Sequence, residues 1–315
     1  MKPFLEQVAS DLMAKHGSCL SDLTVVFPNK RASLFLNAHL ARICGDRPVW
    51  SPRYTTISEL FRRQSSRTVA DPIKLVCELH RSFSALTGID ETLDHFYGWG
   101  QLLLSDFDDI DKSMADADRV LANLRDLHEM DSTDYLSERQ EEAIRRFFSS
   151  FSADHNSLLR ERFLRLWSHM ADIYHDFNDR LASQGLAYEG ALYREVVEAL
   201  EKNQWAIEGN GAEGQAPRQF VFVGFNVLLP VEHRLFSGLR RDGKALFYWD
   251  FDNYYINGEA GQFIAKNLTD FPNELDSKDT DIYGSFAREK TITVASAPTE
   301  NVQARYVGQW LTSHF

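Results

Sequence analysis

Cysteine is scarce in this chain, and its three copies, Cys19, Cys44 and Cys77, are scattered without CxxC spacing. An odd, unpatterned set argues against a disulfide framework and against a structural zinc site, and it suits a reducing cytoplasm. Long apolar runs are missing too. Nothing approaches the roughly 18 consecutive apolar residues of a membrane span. The opening residues, MKPFLEQVASDLMAKHG, hold one early lysine and then acids, without the apolar centre of a signal peptide. Ten histidines include no HxxxH or HExxH pair, so a catalytic metal built on histidine is not expected. No serine sits in a GxSxG elbow, no GxGxxG follows the first strand, and no internal repeat is visible.

What is present is ordinary globular material. The 315 residues are 43% hydrophobic and 25% charged, enough to bury a sizeable core and to form two structural units. The net charge of −12 opposes binding of a polyanion by the molecule as a whole. Its distribution is uneven. From Arg42 to Arg81 the balance is +4, whereas from Ser105 to Glu142 it is −9. One part of the surface suits a phosphate backbone and another repels it.

Periodicity predicts an amphipathic helix over 1–16 and a buried strand at Leu23–Phe27 (LTVVF). Pro28-Asn29 then turns the chain into a helix from Lys30 to Ile43, which opens a βα unit. Thr56 and Glu59 have the spacing of a capping box at a helix start. From 71 to 200 no strand is expected, only helices over 71–87, 91–111, 116–128, 136–151, 157–184 and 189–201. A Gly-rich loop at 207–217 is the best boundary. Strand character resumes at Phe220–Val223, Ala245–Trp249 and Thr291–Ala295, with a helix over Val231–Arg240 between the first two. Residues 256–288 carry little signal. A last helix begins at Asn301 and runs to the final residue uncapped, which predicts a chain cut from a longer protein.

Three short motifs look chemical. Gly238 to Lys244 nearly spells a phosphate loop, but a helix precedes it, a strand follows, and Ala245 stands where the magnesium-binding hydroxyl belongs. It reads as a helix-to-strand turn with Gly243 as cap. Asp106, Asp108, Asp109 and Asp111 resemble an acidic metal site, yet the spacing fails an EF-hand at Asp111 and Ala117. Leu103, Phe107, Ile110 and Met114 share one helical face, which predicts the aspartates on the solvated side. His175 and His233 read as surface or packing residues. Asp250, Asp252 and Asn253 cluster after a strand, where α/β sheets hold ligands, although a turn-forming role explains them as well.

The order of the pieces is similar to that of a known family. Thr24 to Ala32 (TVVFPNKRA) resembles the strand-to-helix motif Ia of superfamily 1 helicases, which lies against single-stranded DNA. Phe220–Phe236 resembles the next core strand and helix, and Thr291–Leu311 resembles the segment opening the second motor domain. With Trp99–Asp111 (WGQLLLSDFDDID), the chain resembles the N-terminal region of the B subunit of AddAB-type helicase–nucleases. More closely, it resembles the long Bacteroidetes proteins of that type that end in a PD-(D/E)XK nuclease domain. The resemblance covers nearly the whole chain. It departs from a working motor, because residues 1–22 hold no phosphate loop and Gly224-Phe225 occupies the place of the Asp-Glu pair. A motor without either cannot position or activate ATP. The nuclease triad is absent as well; Asp276-Ser277-Lys278 is its best imitation.

The expectation is therefore a RecA-like parallel sheet from residues 1–70 and 206–315, interrupted by a helical unit at 71–205, as in an inactivated superfamily 1 helicase domain. The resemblance implies a cytoplasmic, non-catalytic helicase-like module of a DNA-repair nuclease, with no cofactor. Its implied partners are single-stranded DNA, an A-type helicase–nuclease subunit and the rest of a longer chain. Candidate DNA contacts are Asn29, Lys30 and Arg31, joined by Arg53, Arg62, Arg63 and Arg67; for Lys30 and Arg31 a merely solvated helical turn is the alternative. Two other readings stay open: a nucleotide- or small-molecule-dependent α/β enzyme with its site near Asp250 and Asp252, and a protein-interaction domain using the acidic 105–142 surface.

Overall fold

A computed structural model describes residues 2–121, 168–202 and 219–314. The helix expected at 136–151, parts of those at 116–128 and 157–184, and the loop at 207–217 lie outside the described residues.

The chain opens with helix α1 (Phe4–His16), strand β1 (Leu23–Phe27) and helix α2 (Arg31–Cys44). Strand β2 (Arg53–Thr56) and helix α3 (Ile57–Gln64) follow. All five residues of β1 are buried, which is why a continuous apolar run marks it: a central parallel strand is covered on both faces. Strands β5 (Gln219–Val223) and β6 (Ala245–Tyr248), joined by helix α8 (Pro230–Arg241), complete a four-stranded sheet in the order β2-β1-β5-β6. Every pairing in it is parallel, with Val25 opposite both Tyr54 and Val221. The fold is thus α/β.

Two expectations about this sheet are corrected. Thr291–Ala295 is not one of its strands. It pairs with nothing among the described residues, and Ile292 and Val294 are 80% and 90% exposed. An apolar β-branched run makes a strand only where a neighbour supplies hydrogen bonds and cover. The outer edge of β6 is instead closed by a loop, through Glu274 N–H to Phe247 O at 2.9 Å and Trp249 N–H to the Asn273 side chain at 3.1 Å. The fourth strand is β2, an edge strand whose sequence RYTT has no apolar run to mark it.

The chain leaves β1 toward β2 on one side and β5 toward β6 on the other. Right-handed crossovers then put α2 and α8 on opposite faces. Packing agrees: α1 lies on α2, whereas helix α7 (Glu189–Glu201) packs on both α3 and α8. One hydrophobic core joins α1, α2, α3, α7, α8 and the sheet, with Phe222, Phe236 and Phe247 in mutual ring contact and Phe271 against the last two. Residues 256–288, which lack sequence signal, fold into helix α9 (Gln262–Asp270) and the short α10 (Thr280–Tyr283), and Ile264, Phe271 and Tyr283 join this core.

A second core is helical. Helices α4 (Pro72–Thr87), α5 (Leu93–Lys112) and α6 (Met170–Ser183) meet around Phe83, Phe96, Phe107 and Phe177. Between the two cores, β3 (Thr68–Val69) and β4 (Leu186–Ala187) form a two-stranded parallel ladder. The expectation of no strand between 71 and 200 is corrected by β4, which at two residues is too short to leave a pattern. The last helix, α11 (Glu300–His314), buries none of its residues. Among the described residues no helix is long and apolar enough to cross a membrane.

Candidate functional site

Ligands of open parallel sheets lie outside the carboxyl ends of the strands, where neighbouring strands lead away in opposite directions. Here that place is between β1 and β5. Their register, Val26 opposite Phe222, carries forward to set Pro28-Asn29 beside Gly224-Phe225. The turn from β1 into α2 is short: the Asn29 side chain accepts the Arg31 N–H at 3.1 Å, and Ser33 Oγ donates to Lys30 O at 2.7 Å. Asn29, Lys30 and Arg31 are all exposed.

Gly224 and Phe225 have no carboxylate to offer this crevice. Gly224 has φ of +72°, where a side chain would strain the backbone, and its N–H donates to Tyr248 O at 3.1 Å. Phe225 is buried against Phe222 and Phe236, so the position is occupied by a core ring.

Lys30 is held by an acid. Its ammonium lies 2.6 Å from Glu59 Oε1 in the first turn of α3. That hydrogen bond holds the Glu59 carboxyl below its ordinary range, against the opposing pull of burial and with help from the Thr56 N–H and Arg63. Glu59 is there because of the capping box that the sequence announces: its N–H donates to Thr56 Oγ1 at 3.2 Å, and its carboxylate accepts the Thr56 N–H. Arg63, one turn further along α3, is exposed.

The remaining candidates are not gathered at this edge. Arg62 pairs with Glu189 at 3.1 Å and Arg67 with Glu195 at 3.2 Å, both on α7. Arg53 stands opposite Thr24, at the amino end of β2 and therefore across the sheet from the turn. The structure brings together Asn29, Lys30, Arg31 and, through Glu59, Arg63.

At the end of β6, Asp252 is buried and accepts the backbone N–H groups of Tyr254 at 2.9 Å and Phe286 at 2.7 Å, and the Ser285 hydroxyl at 3.3 Å. Burial would raise its pKa, but these donors outweigh it and hold the carboxyl below the usual range. Its lone pairs organise a turn. Asp250 beside it is exposed.

The acidic run on α5 needs correcting. Asp106 is exposed as expected, but Asp111 is fully buried. It accepts hydrogen bonds from Tyr174 at 2.6 Å, from Tyr188, and from Arg194 at 3.1 Å. Burial, reinforced by the Asp111 charge, pushes both tyrosine hydroxyls well up, so they remain donors. Asp108 accepts the Gly190 N–H at 2.6 Å and pairs with Lys112. No sequence signal identified this cluster, because its donors come from α6, from α7 and from Tyr188 just before α7, all more than 60 residues downstream. Among the described residues no group of three or more His, Cys, Asp and Glu side chains is placed to hold a metal ion. His175 is exposed beside Asp118, and half-buried His233 pairs with Asp270 at 2.9 Å.

The chain matches no protein-family model, and no curated protein matches it.

Proposed function

We propose that this chain is a non-catalytic, helicase-like module with a RecA-like sheet that handles single-stranded DNA within a DNA-repair helicase–nuclease. One observation carries the reading. The exposed Asn29-Lys30-Arg31 turn lies at the switch point of the sheet, beside a Gly224-Phe225 pair that offers no carboxylate for magnesium. The resemblance of TVVFPNKRA to a DNA-contacting helicase motif supports it from the sequence side. On this proposal the chain works in the cytoplasm beside an A-type subunit and as part of a longer nuclease, with no bound cofactor.

Contact with DNA is electrostatic and weak here. The net charge opposes approach, and Glu59 competes with phosphate for Lys30. Each phosphate neutralised lowers the logarithm of affinity by about 0.7 per decade of salt on single strands. The test is a salt titration of oligo-dT binding, followed by fluorescence anisotropy. Replacing Lys30 and Arg31 together by Ala should reduce the slope by about 1.4. Glu59→Gln, which keeps a capping-box side chain, should free Lys30 and steepen the slope by up to about 0.7. Addition of ATP should change neither curve. An unchanged slope in the double variant refutes the assignment of this turn.

A further inference from the structure

Helix α2 has two apolar faces, and the described residues cover only one of them. Leu36, Leu40 and Cys44 are buried against the core. On the outer side Arg31, Leu34, Phe35, Ala38, Ala41 and Arg42 are all exposed, within about a third of the helix circumference at 100° per residue. Leu34 and Phe35 are 72% and 61% exposed, so the stripe presents two large apolar side chains to water. Ala38 and Ala41 keep its middle low. That profile, two knobs beside a shallow trough, admits the ridge of another helix at close range.

Charge restricts what fits there. The molecule carries −12, yet α2 holds no acid at all. Arg31 and Arg42 mark the two ends of the stripe, eleven positions and therefore about 16 Å apart. Arg47 is exposed just beyond the helix end, with Asp46 beside it. On the flank toward α1, Glu6 lies 3.8 Å from His39. A second copy of this chain is a poor occupant, because a two-fold contact of α2 with itself sets arginine against arginine. A bilayer is a poor one too: an anionic surface is repelled by the net charge, and two large apolar side chains give little to insert.

We propose that the outer stripe of α2 docks an acidic amphipathic helix of a partner protein. The partner's apolar face covers Leu34, Phe35, Ala38 and Ala41, and carboxylates along its borders meet Arg31 and Arg42. The surface shares Arg31 with the DNA-binding turn, but its apolar stripe and Arg42 lie outside that turn, and the proposal does not depend on that reading.

The experiment uses the full chain and a fluorescein-labelled helical peptide with Leu and Ala along one face and Glu on both borders. A second peptide carries Lys in place of every Glu. Anisotropy should show saturable binding of the Glu peptide and at least about tenfold weaker binding of the Lys peptide. Leu34→Ser with Phe35→Ser should weaken the Glu peptide about tenfold, as loss of apolar anchors does. Arg42→Gln should weaken it severalfold and flatten its salt dependence. Leu34 and Phe35 are both exposed, so the unfolding curve should be unchanged, and oligo-dT binding measured in parallel should be unaffected. Four results would overturn the proposal: no saturable binding, equal binding of the two peptides, binding of phosphatidylserine vesicles in preference to the Glu peptide, or self-association in sedimentation that the double variant abolishes.

Discussion

Asp111 enters the interior in company. Two tyrosine hydroxyls and the Arg194 guanidinium donate to its carboxylate, and Arg194 is further fixed by Ala115 O at 2.7 Å and Glu198 at 3.0 Å. Such a group contributes little net stability while complete, because desolvation offsets the attraction, but removing the carboxylate leaves the two tyrosine hydroxyls without that acceptor and the buried end of Arg194 without its counter-charge. Asp111→Ala should therefore cost about 3–5 kcal/mol in urea denaturation. A loss under about 1 kcal/mol, within the range of ordinary surface substitutions, would mean that water replaces the carboxylate. The reading of DFDDID as a solvated helix face failed at this residue for a definite reason. Helical period separates faces but does not say which polar residue meets a second helix, and the face bearing Asp111 is covered by α6 and α7.

At the scale of elements, α3 shows how a short helix is held. Its eight residues are too few to be stable alone, so its ends and contacts decide. The capping box satisfies N–H groups at its start, and Phe61 stacks on Tyr193 of α7 with ring centroids 4.0 Å apart. Thr56→Ala should cost about 1 kcal/mol, read as a shift of the denaturation midpoint without change of slope. Leaving Glu59 less firmly placed, it should also loosen Lys30. This helix start was legible because a cap is a local contract between residues three apart. The strand immediately before it was not, since Arg53-Tyr54-Thr55-Thr56 owes its conformation to β1 alongside. Conversely, TITVA has strand composition and no strand partner among the described residues.

For the whole molecule, the seam between the two cores is polar. Glu189 accepts from Arg62, Lys112 and Tyr193, and Lys112 also pairs with Asp108. Gly190 lets α7 come close to α5, for a Cβ there would stand 2.5 Å from Asp108 O. Burial would raise the Glu189 pKa, but Lys112, Tyr193 and Arg62 together bring it below its ordinary value. A folded pKa below the unfolded one means that the stabilisation is complete above about pH 4.5 and is lost as pH falls through the lower, folded value. Glu59 acts in the same direction. The melting temperature should therefore drop between about pH 5 and pH 3, and Glu189→Gln should flatten that drop while lowering stability at neutral pH. A variant with an undiminished acid slope would exclude Glu189 as a source.

Local physics was enough for much of this architecture. A continuous apolar run needs burial on both faces, so LTVVF and FVFV announced the two central strands of a parallel sheet, and ALFYW the strand beside them. The capping box, the cap at Gly243 and the helices of the second core followed from spacings within a few residues. The Asn29-Lys30-Arg31 turn was placed correctly at the end of β1 for the same reason. Tertiary structure alone decided the rest, because it turns on pairs far apart in the chain. The edge strand β2 exists through β1. Lys30 is matched by Glu59, and Arg62 and Arg67 by acids more than 120 residues away. A cation's charge can be read from one residue, but its availability depends on which acid the folded chain brings beside it.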